Sequence, residues 1–332
     1  MRAMLFEEAG RPLRLADIPI PEPTRTQVLI KVDACGVCRT DLHILEGELT
    51  PPKTPLVLGH QIVGTIVENG ADATRFKKGE KVGVAWLGKA CGRCTFCLSS
   101  RENLCNEARY TGFHDDGGFA EYCVAEELFI FPLSDFFADA ASSAPFLCGG
   151  LIGFRALNFA GDSKKIGFYG FGSSAHLLIQ AARFQKREIY VFTRQGDSER
   201  QNLAKNLGAM WCGSSEEIPP VKLEAAIIFA PVGDLVTKAL KALEKGGSVI
   251  CAGIHMSDIP SFPYSDLWEE RLIRSVANLT RKDGKDFLDL APKVPIHTTV
   301  TKYPLEKVNQ ALQDLKEGKI KGSAVIVIRP LA

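Results

Sequence analysis

The sequence has almost no net charge: 40 Lys plus Arg stand against 39 Asp plus Glu in 332 residues. That balance excludes a bulk electrostatic attraction to nucleic acid, an anionic membrane or a strongly charged substrate. Small molecules and further copies of the chain remain as the expected partners. Long apolar runs are also missing. None approaches the roughly 18 residues that a membrane span needs, and the opening MRAMLFEEAGRPLRL has no apolar segment of signal-peptide length. A cytoplasmic protein is the expectation. No internal repeat or low-complexity tract interrupts an ordinary composition of 45% hydrophobic and 24% charged residues, and the length is enough for two cores. Cysteine, by contrast, is plentiful, with ten residues. In a reducing compartment clustered thiols are more often metal ligands or reactive groups than disulfides.

From about Met1 to Leu133 short β-branched runs such as QVLIKV and QIVGTIVE are broken by Gly, Pro and charged clusters, the pattern of an antiparallel, barrel-like β domain. From about Cys148 apolar strands alternate with helix-length segments: KIGFYG, AHLLIQAARFQ, EIYVFT, SERQNLAKNLG, AAIIFA, a helix near Leu235 to Leu243, SVICAG and LIRSVAN. That alternation predicts a doubly wound parallel sheet over residues 148–285. The tail YPLEKVNQALQDLKEGKIKGSAVIVI holds one amphipathic helix and one strand, and is expected to return to the first domain, giving that domain residues 1–147 and 286–332.

The segment CGRCTFCLSSRENLC places Cys91, Cys94, Cys97 and Cys105 within fifteen residues. Four thiolates on short spacers suit a closed, tetrahedral, structural zinc, because zinc has no d-electron geometric preference and binds thiolate sulfur well. An iron-sulfur cluster also uses four thiolates, but no second set accompanies this one.

Three further segments carry ligand types: CGVCRTDLH from Cys35 to His43, GHQIVG with His60, and APFLCGG with Cys148. Three ligands drawn from three segments leave the fourth position of a zinc open, which a catalytic ion needs in order to polarise an alcohol oxygen. Spacing alone does not choose between Cys35 and Cys38. Further on, KIGFYGFGSSAH sets Gly170, Gly172 and Ala175 in the G-x-G-x-x-G/A arrangement between a strand and a helix, where backbone can approach a pyrophosphate at the positive helix end. Where an NAD-specific fold would offer an acid to the ribose, Thr193 and Arg194 stand. A guanidinium there favours NADP(H) over NAD(H), unless a longer turn carries Asp197 to the ribose.

The three ligand segments, the four-cysteine lobe, DGGFAEY from Asp116 and the nucleotide-binding pattern together resemble the zinc-dependent medium-chain alcohol dehydrogenases, over essentially the whole chain. The resemblance implies a GroES-like β-barrel domain joined to a Rossmann domain, and two zinc ions per chain. It gives the metal to Cys38, His60 and Cys148 and makes Cys35 a buried bystander. Thr40 matches the hydroxyl that hydrogen-bonds the alcohol. His43 matches the imidazole that passes the proton through the cofactor ribose to solvent, a role suited to a surface histidine. Asp41 resembles the carboxylate that orients the histidine ligand, and Arg39 a contact to the pyrophosphate. Trp86, Leu49 and Ile152 are expected to line the pocket of an enzyme for small to medium, primary alcohols and aldehydes. The family implies a homodimer or homotetramer.

One residue departs from the pattern. The family carries Gly-His-Glu where this chain has Gly59, His60 and Gln61, so an amide replaces a carboxylate beside the metal. Two other functions compete with the first. A polyol or sugar dehydrogenase would vary the lobe cysteines and place an acid at the metal. A nucleotide-binding protein without catalysis would lose the open-site ligands, and Gln61 is its only support.

Overall fold

The eleven-residue strand Gln27–Val37 organises the first unit of the fold, because it is long enough to serve two partners along one edge. In the computed structural model, which describes residues 1–294 and 296–328, its first half pairs with Tyr122–Glu126 and its last residues pair with Ser323–Val327. Along its other edge runs Gln61–Asn69, with two register irregularities. The sheet continues through Lys81–Val84 to Ile130–Pro132 on one side, and through Ser323–Val327 to Val300–Pro304 on the other. A smaller sheet of Arg14–Asp17, Arg2–Phe6 and Leu56–Val57 closes against the same apolar core, which gathers Val28, Ile30, Val32, Leu58, Ile62 and Phe119. In QVLIKV, Val28, Ile30 and Val32 are wholly buried on one face while Gln27 and Lys31 on the other are half-buried, the period of two along a strand. The pairing is antiparallel as expected, with one departure: Val300–Pro304 and Ser323–Val327 run parallel, joined by the helix Val308–Lys316. The tail therefore supplies two strands to this unit instead of one.

The second unit holds a six-stranded sheet, parallel throughout, in the order Trp211–Ser214, Glu188–Thr193, Lys165–Tyr169, Leu223–Ile228, Leu243–Cys251, Leu272–Ser275. Numbered in chain order this is 3-2-1-4-5-6, the doubly wound dinucleotide-binding arrangement, and the order reverses beside Lys165–Tyr169. Ile166, Phe168, Ile189, Val191, Ala225 and Ile227 are buried against the small apolar residues of the helix Ser173–Phe184. Near-continuous apolar strands are what a sheet covered on both faces requires.

The chain divides into Met1–Cys148, Leu279–Leu288 and the stretch from Thr298 onward as one unit, and Gly149–Asn278 with Asp289–His297 as the other. The return to the first unit thus begins at Leu279, earlier than the expected 286. Packing gives the reason. Phe287 contacts Phe146 at 5.8 Å between ring centroids, Gly284 lies directly against Phe131, and Arg281 donates to the buried carboxylate of Glu102 at 2.9 and 3.2 Å. Residues 329–332 of the expected tail lie outside the described residues. Among the described residues no single helix is long and apolar enough to cross a membrane.

Candidate metal and nucleotide sites

Strand Gln27–Val37 ends one residue before Cys38, and the helix Arg39–Leu45 begins one residue after it, so Cys38 caps the helix in extended backbone (φ −124°, ψ 160°). Asp41 fixes this junction by accepting a hydrogen bond from the Cys38 amide at 2.8 Å. Cys35 lies within the strand and faces the core, where burial pushes its thiol well up. The fold thus separates the two thiols: Cys35 stays in the core and Cys38 stands at the strand end. The sulfur atoms of Cys38 and Cys148 and the His60 imidazole converge, with ligand atoms within 4.8 Å of one another, and Cys35 stays outside.

His60 is delivered by a tight approach of backbone to side chain. Gly59 has φ +93°, and a Cβ there would come within 2.8 Å of both Cys35 Sγ and Phe119. Only glycine satisfies both demands. Cys148 follows the turn Ala144–Leu147, whose Leu147 packs directly on Gly83 of the neighbouring strand; a Cβ on Gly83 would reach it at 2.5 Å. Behind His60, the wholly buried Asp41 presents Oδ1 to Nδ1 at 3.6 Å and accepts from the Gly59 amide at 3.3 Å. That leaves Nε2 to the sulfur side, the orientation a carboxylate imposes on a ligating imidazole.

The three groups set one another's charge. The Cys38 thiol is held well below its ordinary range, first by the hydrogen bond from Cys148 and then by His60, against the cost of burial. Cys148 is correspondingly pushed well up by Cys38. Burial disfavours the His60 cation, but Asp41 and the Cys38 thiolate outweigh it and carry the imidazole to about 10. Cys38 Sγ and Cys148 Sγ are 3.7 Å apart, too far for a disulfide. The separation matches the edge of about 3.8 Å in a tetrahedron whose centre lies about 2.3 Å from each sulfur, the Zn–S distance. Two thiols, one imidazole and a buried orienting carboxylate therefore fit zinc with one position open.

The second cluster also fits zinc, with a closed shell. Cys91, Cys94, Cys97 and Cys105 lie within 4.8 Å of one another, and Cys91 Sγ is 3.9 Å from Cys97 Sγ. Thiolates around an iron-sulfur cluster would be held further apart, so one ion accounts for the spacing. The Cys94 amide donates to Cys91 Sγ at 3.4 Å and the Cys91 amide to Cys105 Sγ at 3.5 Å. Backbone donors, chiefly the amides of Arg93 and Cys94, lower the Cys91 thiol to about 7, while burial lifts Cys97 to about 12. Within the first unit the lobe is flanked by the short antiparallel pair Leu87–Lys89 and Arg109–Tyr110. Among the described residues all ten cysteines are free thiols.

Around the open cluster, Thr40 is buried with Oγ1 3.6 Å from Cys38 Sγ, and Arg39 is exposed at the start of the helix. Trp86 meets the His60 ring edge-on at 4.8 Å and stacks on Tyr110 at 5.1 Å, with Phe113 beyond. Tyr110 and Phe113 were not legible in the sequence, since nothing local ties them to Trp86. Gln61 is buried with its carboxamide oxygen over its cross-strand neighbour Gly36, where a Cβ would come within 2.6 Å of it. His43 is corrected by the structure. The expected surface histidine is buried, with Nδ1 paired to Glu48, a residue the sequence reading passed over. A histidine followed by a helix-ending glycine and an acid was the available signal. Leu49 is half-buried beside this turn, its amide bonded to the His43 carbonyl at 3.0 Å.

In the second unit, Gly170 has φ +95°, and Gly172 faces open space where a Cβ would meet nothing within 4 Å. Ala175 is buried between the helix Ser173–Phe184 and the sheet. A dinucleotide pyrophosphate fits this turn, which combines close backbone approach with a helix N-terminus. Thr193 is buried at the strand end, accepting from Gln201 at 3.0 Å, while Arg194 is exposed. Asp197 is occupied as the cap of the helix Ser198–Asn206, accepting from the Arg200 amide at 3.1 Å and pairing with its guanidinium at 2.7 Å. Ile152 is half-buried against this unit's own core on the helix Gly149–Phe159.

A β-barrel carrying an open-shell metal cluster, in one chain with a 3-2-1-4-5-6 nucleotide-binding sheet, defines a two-domain metal-dependent dehydrogenase. Comparison with known proteins makes the class specific. Residues 24–135 match the model of the alcohol dehydrogenase GroES-like domain. The chain is 43% identical over 325 residues to "Probable alcohol dehydrogenase AdhA" of Mycobacterium tuberculosis, covering 96% of this chain and 93% of that protein. It is 31% identical to an alcohol dehydrogenase of Geobacillus stearothermophilus, covering 99% of each. Among solved structures, acetophenone reductase from Geotrichum candidum in complex with NAD superposes with a TM-score of 0.88 at 26% identity, over 98% of this chain and 96% of that one. The chain belongs to the zinc-dependent medium-chain alcohol dehydrogenase family and is an NAD(P)-dependent alcohol dehydrogenase.

Proposed function

We propose that this alcohol dehydrogenase holds two zinc ions per chain, prefers NADP(H), and interconverts small to medium, primary alcohols with their aldehydes as a cytoplasmic homodimer or homotetramer. The observation that carries the reading is the convergence of Cys38, His60 and Cys148, with Asp41 buried behind the imidazole. Zinc held there supplies Lewis acidity that favours the alkoxide, and the nicotinamide supplies the hydride acceptor. The chain's own groups do the rest. Cys38 and Cys148 give anionic sulfur, and Asp41 keeps His60 in the tautomer that ligates through Nε2. The Thr40 hydroxyl, beside Cys38 Sγ, takes up the alcohol proton, and His43 carries it onward. Trp86 walls the histidine side of the site and, with Leu49, limits substrate size. Gly170, Gly172 and Ala175 admit the pyrophosphate.

NADP(H) is favoured because the strand end carries Thr193 and an exposed guanidinium at Arg194, and because Asp197 is committed to its helix cap. A second copy is supported by the edge strand Leu272–Ser275, which leaves Leu272 exposed in the same unit as the exposed Tyr264 and Trp268. Lobe cysteines 91, 94, 97 and 105 are read as the structural zinc site. The test is metal content together with a parallel screen of alcohols and aldehydes with NAD(H) and NADP(H). Two zinc ions and a higher kcat/KM with NADP(H), falling by about tenfold in Arg194→Ala, are expected. Full turnover without zinc at Cys38 overturns the catalytic reading, and equal efficiency with NAD(H) overturns the cofactor preference.

A further inference from the structure

The helix Arg39–Leu45 ends in a turn that sends the chain back over its own last residues. The Glu46 amide donates to the Leu42 carbonyl at 2.8 Å, the Gly47 amide to Ile44 at 3.1 Å and the Leu49 amide to His43 at 3.0 Å. Gly47 adopts φ +82°, the left-handed conformation that closes such a helix end. As a result Glu48, five residues beyond His43 in sequence, returns to it in space, and its Oε2 meets His43 Nδ1. The two side chains differ sharply in exposure: 6% for His43 against 41% for Glu48. The neighbouring acids are committed elsewhere. Glu46 pairs with Lys316 at 2.7 Å, and Asp41 accepts from the Cys38 and Gly59 amides.

We propose that Glu48 is the positioning partner and proton outlet of His43, so that a buried imidazole exchanges protons with water through a half-exposed carboxylate. This rests on the reading above in which His43 receives the proton released from the alcohol. In the outward direction the Nδ1–H bond of the His43 imidazolium breaks as an Oε2–H bond forms on Glu48. The imidazolium becomes neutral imidazole and the carboxylate becomes a carboxylic acid. The acid then gives its proton to water and is restored as carboxylate, so charge and electrons balance and no further reactant is needed. Aldehyde reduction runs the same path inward. Glu48 also fixes the ring, since a proton shared at Nδ1 leaves Nε2 as the acceptor.

The experiment uses the zinc-loaded enzyme and follows alcohol oxidation at fixed pH and ionic strength while the HEPES concentration is raised. Glu48→Gln keeps the shape and removes the proton carrier. It is expected to lose on the order of tenfold in kcat at low buffer with little change in KM, and to recover as HEPES substitutes for the missing outlet. Glu48→Asp is expected to retain most activity, and the wild type to ignore buffer concentration. Wild-type kcat in Glu48→Gln at low buffer, or a loss that no buffer concentration restores, overturns the outlet. A second readout is independent of turnover: nitrogen-15 spectra of the six histidines, with His43 assigned by its loss in His43→Gln. The Nδ1 resonance is expected to shift in Glu48→Gln, and an unchanged resonance overturns the pairing. A wild type inactive on every alcohol sinks the dehydrogenase reading and leaves this spectroscopic arm standing.

Discussion

The two clusters of this chain that could hold a metal ion are built on opposite plans. The four cysteines of the lobe fall between residues 91 and 105 and are held by one loop with two short helical turns, Thr95–Leu98 and Glu102–Leu104, so local sequence brings them together. Cys38, His60 and Cys148 come from a strand end, a glycine-hinged loop and a turn far along the chain, and only the folded barrel unites them. The environments differ accordingly. The lobe stabilises its thiolates with backbone amides and offers four sulfurs. The open cluster offers three ligands and surrounds them with a buried carboxylate, a threonine hydroxyl and an indole. A closed shell of like ligands stabilises the fold, whereas an incomplete shell with oriented neighbours is the arrangement that permits chemistry.

The sharpest way to break this contrast is to remove one sulfur from each cluster. Cys38→Ser is expected to reduce alcohol oxidation by on the order of a thousandfold or more, with zinc content falling from two to one and the circular dichroism unchanged. Retention of activity with a single zinc would remove Cys38 from the catalytic shell. Cys97→Ser should act on stability instead. Loss of the lobe's ion is expected to cost on the order of 3 kcal/mol, or about 4 °C in Tm, while kcat per remaining zinc is preserved at low temperature. Calorimetry with parallel assays checks this, and an unchanged Tm would mean that the lobe metal is structurally idle.

A smaller effect is expected behind the ligands. Asp41→Asn keeps the shape beside His60 and removes the charge that orients it, so zinc affinity at the open cluster should fall by about 10–100-fold. Competition with a chelator measures it, with the lobe unaffected as an internal reference.

The smallest test is the pH dependence of zinc binding. Without an ion His60 holds its proton up to about 10, and a ligating imidazole must give that proton up. Affinity at the open cluster should therefore gain about tenfold per pH unit from this proton alone, levelling near pH 10. The corresponding effect on the zinc-free fold has the opposite sense. Because the folded value lies above the ordinary value of about 6.5, the protonated pair stabilises fully below about 6.5, and the contribution fades as pH rises through 10. Zinc titrations in buffers of different ionisation heat count the released protons; release of none at neutral pH would refute the coupling.

The comparison also explains what could be foreseen. A stretch in which every ligand lies within a few residues of the next carries its geometry in its spacing, and the lobe was legible for that reason. So was the glycine turn at Gly170 and Gly172, since a strand, two glycines and a helix specify their own arrangement. The open cluster was legible as ligand types but not as a ligand set. Choosing Cys38 over Cys35 required either the family resemblance or the knowledge that a strand ends between them and buries Cys35. The return of the chain to the first unit at Leu279 escaped the sequence because Phe287, Gly284 and Arg281 find their partners, Phe146, Phe131 and Glu102, more than a hundred residues away.

By itself, then, the sequence determined the class of fold, the closed thiolate lobe, the nucleotide turn and the supply of ligands, because hydrophobic periodicity, glycine conformational freedom and short spacers act locally. Tertiary structure decided what spacing left open: which thiol faces the imidazole, that Asp41 lies behind His60, that Asp197 caps a helix, and that His43 is buried against Glu48. The first two depend on segments that meet only when the barrel closes, and the last two on backbone turns whose side-chain pairing the spacing alone does not fix.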